Sequence, residues 1–369
     1  MCSSSSRTGA VEGLISLARQ LRNGWGIDAR FAGDTVRPGE DLGGHLAEAG
    51  VPWETGLRLS RKVRIGDLVH DARRLAQWTR EGRYDVLHAA MAHDHWLALW
   101  ARPRDRGVRV VRAAQRRLDV SPGSLRQRLW ALRRSDGVIV HAAKYRDALV
   151  AAGLDPRRVA HVAGSVDAAW FSPGKAPDLR ARWGIPAEAP LAGVIARMKP
   201  ERGQRVVLQA FAKARQRMPS AWLALVGRGE DEPALRALAR ELGLAERVVF
   251  GGYLRGPGLV EAYRALDVAV WLREGNDGAC RGVLEAMACG LPVIAGAEGA
   301  PGELVRDRVE GRVVDASDAQ AIAGALVDLL AAPREAGRAA RERALGFTPR
   351  RAADETLAFW RRLRDLPPA

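Results

Sequence analysis

The sequence predicts an α/β protein built from two doubly wound domains, and three observations carry that expectation. At 369 residues the chain is long enough to bury two separate cores. Short apolar runs alternate with longer amphipathic stretches almost throughout, the pattern of parallel strands joined by crossover helices. Near the middle that alternation breaks at "VAGSVDAAWFSPG" (162–174), a Gly- and Pro-containing stretch that marks a domain boundary. Sheets of this kind bind ligands beyond the carboxyl ends of their strands, so a cleft between the two domains is the expected site.

Taken in order, the first half offers strands at 27–33, 85–89, 108–113 and 137–140, with amphipathic helical segments at 11–22 and 67–81 among them. The second half offers six short buried strands: "PLAGVIAR", "AWLALVG", "RVVFGG", "DVAVWL", "LPVIAG" and "GRVVD". Helical patterns at 203–216, 232–242, 258–265, 281–289 and 318–331 separate most of them. The last segment, "PRRAADETLAFWRRLRD", is amphipathic.

Composition excludes several classes. With 47% hydrophobic and 27% charged residues the chain is globular rather than disordered. No apolar run approaches the roughly 20 residues of a membrane span. The opening "MCSSSSRTGAVEG" lacks the basic and apolar regions of a secretory signal. Cys2, Cys280 and Cys289 have neither metal-ligand spacing nor the even count of a disulfide framework, which predicts a reducing, cytoplasmic setting. The formal charge of +15 is lopsided: residues 1–165 hold 28 Lys and Arg against 17 Asp and Glu, and residues 166–369 hold 30 against 26. Such a first half suits an anionic surface, a lipid or an acidic glycan, although an Arg-rich genome gives the same bias. Its basic stretches lack both interleaved aromatics and any nucleic-acid motif, so no nucleic-acid partner is expected.

The chemistry concentrates in "WLREGNDGACRGVLEAMACG". The chain leaves a strand, turns on Gly275, Asn276 and Gly278, and enters a helix. Glycine beside Asp277 admits a ligand close to the backbone, and the free amides of a first helical turn attract an anion. Eight helical steps separate Asp277 from Glu285, an advance of about 12 Å with a net rotation of about 80°. Both acids can then accept hydrogen bonds from hydroxyls at the two ends of one elongated ligand, such as a diphosphate with a sugar at each end. Taken alone they read equally as an N-cap and a helix-face ion-pair partner. In "GVIARMKPERGQ", Arg197 and Arg202 flank a strand-to-helix loop and suit phosphate oxygens, though isolated arginines also read as surface charge. "LVGRGEDEPAL" adds a further strand-loop-helix turn at Gly227 and Gly229.

In order and spacing, "SVDAAWFSPG", "ARMKPERG", "ALVGRGED", "RVVFGGYL", "DVAVWLREGNDGACRGVLEAMACGLPVIAG" and "EGAPGELVRDRVEGRVV" resemble the retaining glycosyltransferases of family 4, and the likeness covers essentially residues 10–365. The resemblance implies the GT-B fold, two facing Rossmann-like domains with an inter-domain cleft. Residues 1–165 would bind the acceptor, 166–350 the nucleotide-sugar donor, and 351–369 would form a helix crossing back to the first domain. It implies that Arg197 and Arg202 hold the donor diphosphate, Asp277 the hydroxyls of the transferred sugar and Glu285 the ribose. Gly227, Gly278, Ala279 and Cys280 would line the donor site. "RTGAVEGLISLARQL" resembles the family's glycine loop, placing Thr8, Gly9 and Ala10 near the donor phosphate. "YDVLHAAMAHDHWLALW" resembles the segment that supplies a cleft histidine, here His93, which reads equally as a helix cap; His93, Asp94 and His95 cannot all turn one way to hold a metal.

The departures from that pattern are specific. The first acid is usually Glu, and Asp277 is one methylene shorter. "GAC" at 278–280, followed by Arg281, replaces a bulky residue and glycine. Arg202 stands where Lys is commoner, and Gln115 where some relatives carry His. Only "MCSSSS" precedes the glycine loop, so the first sheet is expected to lack its usual first strand. The activity implied is metal-independent, cofactor-free transfer of a hexosyl-type group from a UDP- or GDP-sugar, with retention, to an envelope acceptor. That acceptor would be a bacterial lipopolysaccharide core, an exopolysaccharide or a lipid-linked saccharide, with peripheral contact at the inner face of the cytoplasmic membrane. The alternatives are a nucleotide-sugar epimerase of the same fold and an anionic-polymer-binding protein.

Overall fold

The computed structural model describes residues 1–3, 9–33, 42–59, 64–81, 84–102, 107–114, 129–274 and 279–369. Two compact units emerge. One comprises Met1–Ser165 with Ala279 and Pro349–Ala369, the other Val166–Gly275 with Cys280–Thr348.

In the first unit the strands are β1 (Phe31–Ala32), β2 (Trp53–Glu54), β3 (Val86–Ala89), β4 (Arg109–Ala114), β5 (Gly137–Val140) and β6 (Val159–His161). The last four form one parallel sheet in chain order, and β1 and β2 form a separate parallel pair. No strand precedes the helix Gly9–Trp25 among the described residues, but an isolated bridge joins Cys2 to Gly33. Residues 1–3 run between the two groups: the Cys2 amide donates to the Ala32 carbonyl (2.9 Å), and the Ala90 amide donates to Met1 (3.0 Å). β1 falls within the expected strand 27–33, whereas β2 and β6 escape the apolar-run reading because they are only two and three residues long.

Charged side chains enter this unit's interior. Arg109, Arg112 and Asp136 are all nearly inaccessible. Asp136 accepts from Arg102 (2.5 Å), Arg109 (3.2 Å) and the Val110 amide (2.8 Å). The C-terminal helix Pro349–Arg364 belongs here because Phe359 and Leu363 pack with Val111 and Ile139, and its end is gripped by Arg109, which donates to the carbonyls of Arg364 (3.1 Å) and Leu366 (2.6 Å).

In the second unit all six expected strands form: β7 (Leu191–Ile195), β8 (Trp222–Val226), β9 (Val248–Gly252), β10 (Val268–Trp271), β11 (Val293–Gly296) and β12 (Gly311–Val314). They are parallel in the order β12-β11-β10-β7-β8-β9. Numbered from β7 this is the doubly wound order 3-2-1-4-5-6, whose direction of winding reverses between β7 and β10. The core is aliphatic. Val194, Leu223, Leu225, Val270 and Ile294 from the strands meet Leu208 and Phe211 of the helix Gln204–Ala214 and Ile322 and Leu326 of the helix Ala319–Ala331. No described helix is long and apolar enough to cross a membrane.

Candidate functional site

The reversal between β7 and β10 sets the loops that follow those two strands side by side, at the place where such sheets bind ligands. After β7, Arg197 is exposed, and Pro200–Arg202 make a single 3-10 turn before the helix that starts at Gln204. Buried Gln204 fixes this loop by donating to the Arg197 carbonyl (3.0 Å). The loop is also zipped to the one after β8: the Ala196 amide donates to Val226 (2.9 Å), Met198 to Arg228 (3.1 Å) and Asp231 to Met198 (3.2 Å). This contact explains Gly227 and Gly229. A Cβ at Gly227 would collide with the Ala196 carbonyl, and one at Gly229 with the Met198 carbonyl. Both glycines therefore hold the arginine loop in place.

A cation unmarked by the sequence reading also lies in the loop. Lys199 pairs with Glu230 at 3.0 Å, and that contact holds the Glu230 carboxyl below its usual range. Exposed Arg197 and half-buried Arg202 stand on either side of this ion pair in the chain.

After β10, residues 275–278 lie outside the described residues, so Asp277 and Gly278 are not placed. The chain is described again at Ala279, which turns into Cys280. Cys280 is buried and left-handed (φ 48°), a conformation that costs a side chain of this kind strain. It precedes the helix Arg281–Ala288. That helix can approach the strand because Gly282 has no Cβ, where one would strike the Trp271 ring.

Glu285 is 7% exposed and held at both oxygens. Arg281 approaches Oε1 at 3.2 Å, and the Tyr263 hydroxyl donates to Oε2 at 3.0 Å. Burial and the neighbouring carboxylate push the Tyr263 hydroxyl well above its ordinary value, so it stays protonated and keeps donating. Burial likewise pushes the nearby Cys289 thiol up to about 12. The ion-pair reading of Glu285 is thus met by Arg281, one helical turn before it. That spacing was visible in the sequence. Tyr263 was not, because it lies on a different helix, Pro257–Ala265.

In the first unit Gly9 begins the helix Gly9–Trp25, and Thr8 lies outside the described residues. His93 is the second residue of the helix Ala92–Ala101 and half-buried. Its neighbours are structural. Asp94 accepts from the Ser3 amide (3.0 Å) and the Met91 amide (3.1 Å), and His95 meets Ser135 Oγ at 2.6 Å. Burial and then the Arg112 charge lower the His95 ring to about 3, so it is neutral. Ser135 spends its hydroxyl hydrogen on the Ala131 carbonyl (3.0 Å), so His95 must carry its proton on Nε2. Among the described residues no three His, Cys, Asp or Glu side chains gather as a metal site.

Two parallel doubly wound units with this arginine loop define a GT-B protein, and comparison with known sequences makes the assignment. Residues 175–345 match Glycosyl transferases group 1, and residues 7–170 match Glycosyltransferase Family 4. The chain is 36% identical over 210 residues to the GDP-mannose-dependent alpha-(1-6)-phosphatidylinositol monomannoside mannosyltransferase of Mycolicibacterium smegmatis, a match spanning 54% of each chain. It is 31% identical over 307 residues to the D-inositol 3-phosphate glycosyltransferase of Mycolicibacterium gilvum, covering 78% of this chain and 68% of that one. For the D-inositol 3-phosphate glycosyltransferase of Saccharomonospora viridis the figures are 32% over 309 residues, 76% and 70%. The chain belongs to the group 1, family 4 glycosyltransferases. In fold it is similar to Anabaena HepE in complex with UDP, with a TM-score of 0.80 at 21% identity over 97% of this chain and 98% of that one. It is also similar to sucrose-phosphate synthase from Thermosynechococcus elongatus, with a TM-score of 0.75 at 22% identity over 94% and 91%.

Proposed function

We propose that the chain transfers a hexosyl-type group from a nucleotide sugar to an envelope saccharide or lipid-linked acceptor, with retention and without a metal. The observation that carries this reading is the pair Arg197 and Arg202 in the loop beside the sheet's reversal point, next to the helix bearing Glu285. The two guanidiniums would meet the charge that develops on the departing diphosphate, the part a metal ion plays elsewhere. Glu285, aimed by Arg281 and Tyr263, would accept from the ribose, and Asp277 would orient the sugar. In the transfer, the acceptor hydroxyl oxygen bonds to the anomeric carbon from the face the leaving group departs, and the bond to phosphate breaks. The acceptor proton passes to the departing phosphate oxygen. The second unit would hold the donor and the first the acceptor, with His93 as a candidate catalytic group and Gly9 as a candidate contact to the donor phosphate.

A relative named as GDP-mannose-dependent and a fold neighbour that binds UDP support a UDP- or GDP-sugar as donor. An epimerase is disfavoured because the three relatives named above are glycosyltransferases, and product analysis with donor alone separates the two. A thermal-shift screen with UDP-, GDP- and ADP-sugars tests the donor, and product NMR tests the configuration. An inverted anomeric centre, or no stabilisation by any nucleotide sugar, sinks the reading.

A further inference from the structure

The first unit carries an aromatic surface that the transfer chemistry does not use. Trp96 and Trp100 lie one turn apart on the helix Ala92–Ala101 and are 46% and 63% exposed, while Leu97, Ala98 and Ala101 of the same helix are buried. Trp130, 52% exposed, stacks on Trp96 with ring centroids 5.1 Å apart and planes 20° from parallel, and Arg134 lies over the Trp130 ring at 3.9 Å. One face of Trp96 is thus taken by its brace. Trp100 keeps its ring faces free: no aromatic or cationic group among the described residues stacks on it. Single exposed tryptophans are ordinary, but adjoining ones with this much bare ring mark a binding surface.

The position and charge of these rings select the partner. His93, Trp96 and Trp100 fall at i, i+3 and i+7, so they share one face of the helix over about 10 Å. The helix starts beyond the carboxyl end of β3, the edge at which parallel sheets take ligands, and its outer face leads away from that edge. A ligand lying on the rings is therefore continuous with one held at the edge. The helix carries no lysine or arginine, and Arg102 just after it is committed to Asp136. Such a face has little to attract anionic lipid or nucleic acid, both of which need free cations. An uncharged saccharide chain is complementary to it: the C–H face of a pyranose lies flat on the negative face of an indole, while the hydroxyls stay in water. Four helical residues, about 6 Å, separate Trp96 from Trp100, close to the length of one pyranose unit.

We propose that Trp96 and Trp100, with Trp130 holding Trp96 in place, form a platform for the sugar units that lie behind the reacting one, so that the acceptor is a saccharide chain rather than a single small polyol. The proposal rests on the reading of the first unit as the acceptor side, and binding measured without donor separates the two claims. The full-length protein is titrated calorimetrically, without nucleotide, with mannohexaose, maltohexaose and isomaltohexaose and with mannose and glucose. Expected is binding of at least one hexasaccharide with an affinity well above that of its monosaccharide. Trp96→Ala and Trp100→Ala should each weaken that binding at least about tenfold and erase the advantage of length, whereas Trp100→Phe, which keeps a flat ring, should retain most of it. Melting temperature and its rise with UDP or GDP should stay as in the wild type, because these side chains are exposed. Failure of every hexasaccharide to bind, or wild-type affinity in both alanine variants, overturns the proposal. So does loss of sedimentation with phosphatidylglycerol-containing vesicles in variants whose saccharide affinity is unchanged, which would assign the rings to lipid. If no nucleotide shifts the melting temperature but the hexasaccharide results hold, the transferase reading fails and the platform stands.

Discussion

The two units share a parallel-sheet plan but place their charges differently. In the second unit the strands are filled with aliphatic side chains, and the charged residues of interest, Arg197, Lys199, Arg202 and Glu285, gather beyond the strand ends. In the first unit charge enters the sheet itself, with Arg109 and Arg112 inside β4 and Asp136 just before β5. The difference separates two uses of a buried ion. At a strand end it can meet a ligand, whereas inside a sheet its bonds are spent on backbone and on the C-terminal tail.

Exchanging the two kinds of charge should therefore give opposite phenotypes. Arg197→Ala with Arg202→Ala should lower nucleotide-sugar turnover at least about 10⁴-fold, as two donors to a developing charge are lost, with the melting temperature unchanged. A fall in melting temperature with full turnover would place these arginines with the structural set. Asp136→Asn should do the reverse. It leaves Arg102 and Arg109 buried without their carboxylate, at about 3–5 kcal/mol by denaturant titration, and the helix Pro349–Arg364 should lose protection from hydrogen exchange.

The next contrast is in pH. His95 in the first unit has its folded value lowered to about 3 from an ordinary 6.5. Between those values the unfolded chain binds a proton that the folded chain refuses, so stability is complete above about pH 6.5 and is lost as pH falls. The slope due to His95 is about 1.4 kcal/mol per pH unit. His95→Gln, which keeps a donor toward Ser135, should reduce the slope by that amount and leave the share of His88, also lowered to about 3. An unchanged slope would show that His95 does not titrate in this window.

The smallest expected effect sharpens the site itself. Tyr263→Phe removes one hydrogen bond from Glu285, and should raise KM for the nucleotide sugar up to about tenfold while kcat moves little. A drop in kcat at unchanged KM would assign Tyr263 to the chemical step instead.

The second unit was the more legible one. Buried parallel strands bare on neither face read as continuous apolar runs, so "LAGVI" and "WLALV" announce themselves. The first unit hid more, because β2 and β6 are too short to form such a run, although β1 falls within the expected strand 27–33 and the arginine-bearing β4 overlaps the expected strand 108–113. At the site, Arg197, Arg202 and Glu285 stood out by spacing from strand ends, and Arg281 could have been read from its position four residues before Glu285. Lys199 escaped because its partner Glu230 belongs to the next loop. Asp277, the acid expected to orient the sugar, lies outside the described residues.

The sequence alone determined the α/β class, the six strands of the second unit and the residue types at its loops, because periodicity and turn chemistry are local properties. Tertiary structure alone decided the strand order, and with it which two loops become neighbours. It also brought Tyr263 to Glu285 and stacked Trp96 on Trp130. Those pairings join residues 22 and 34 positions apart, a separation that no local pattern encodes and that only the packing of a whole sheet and its helices resolves.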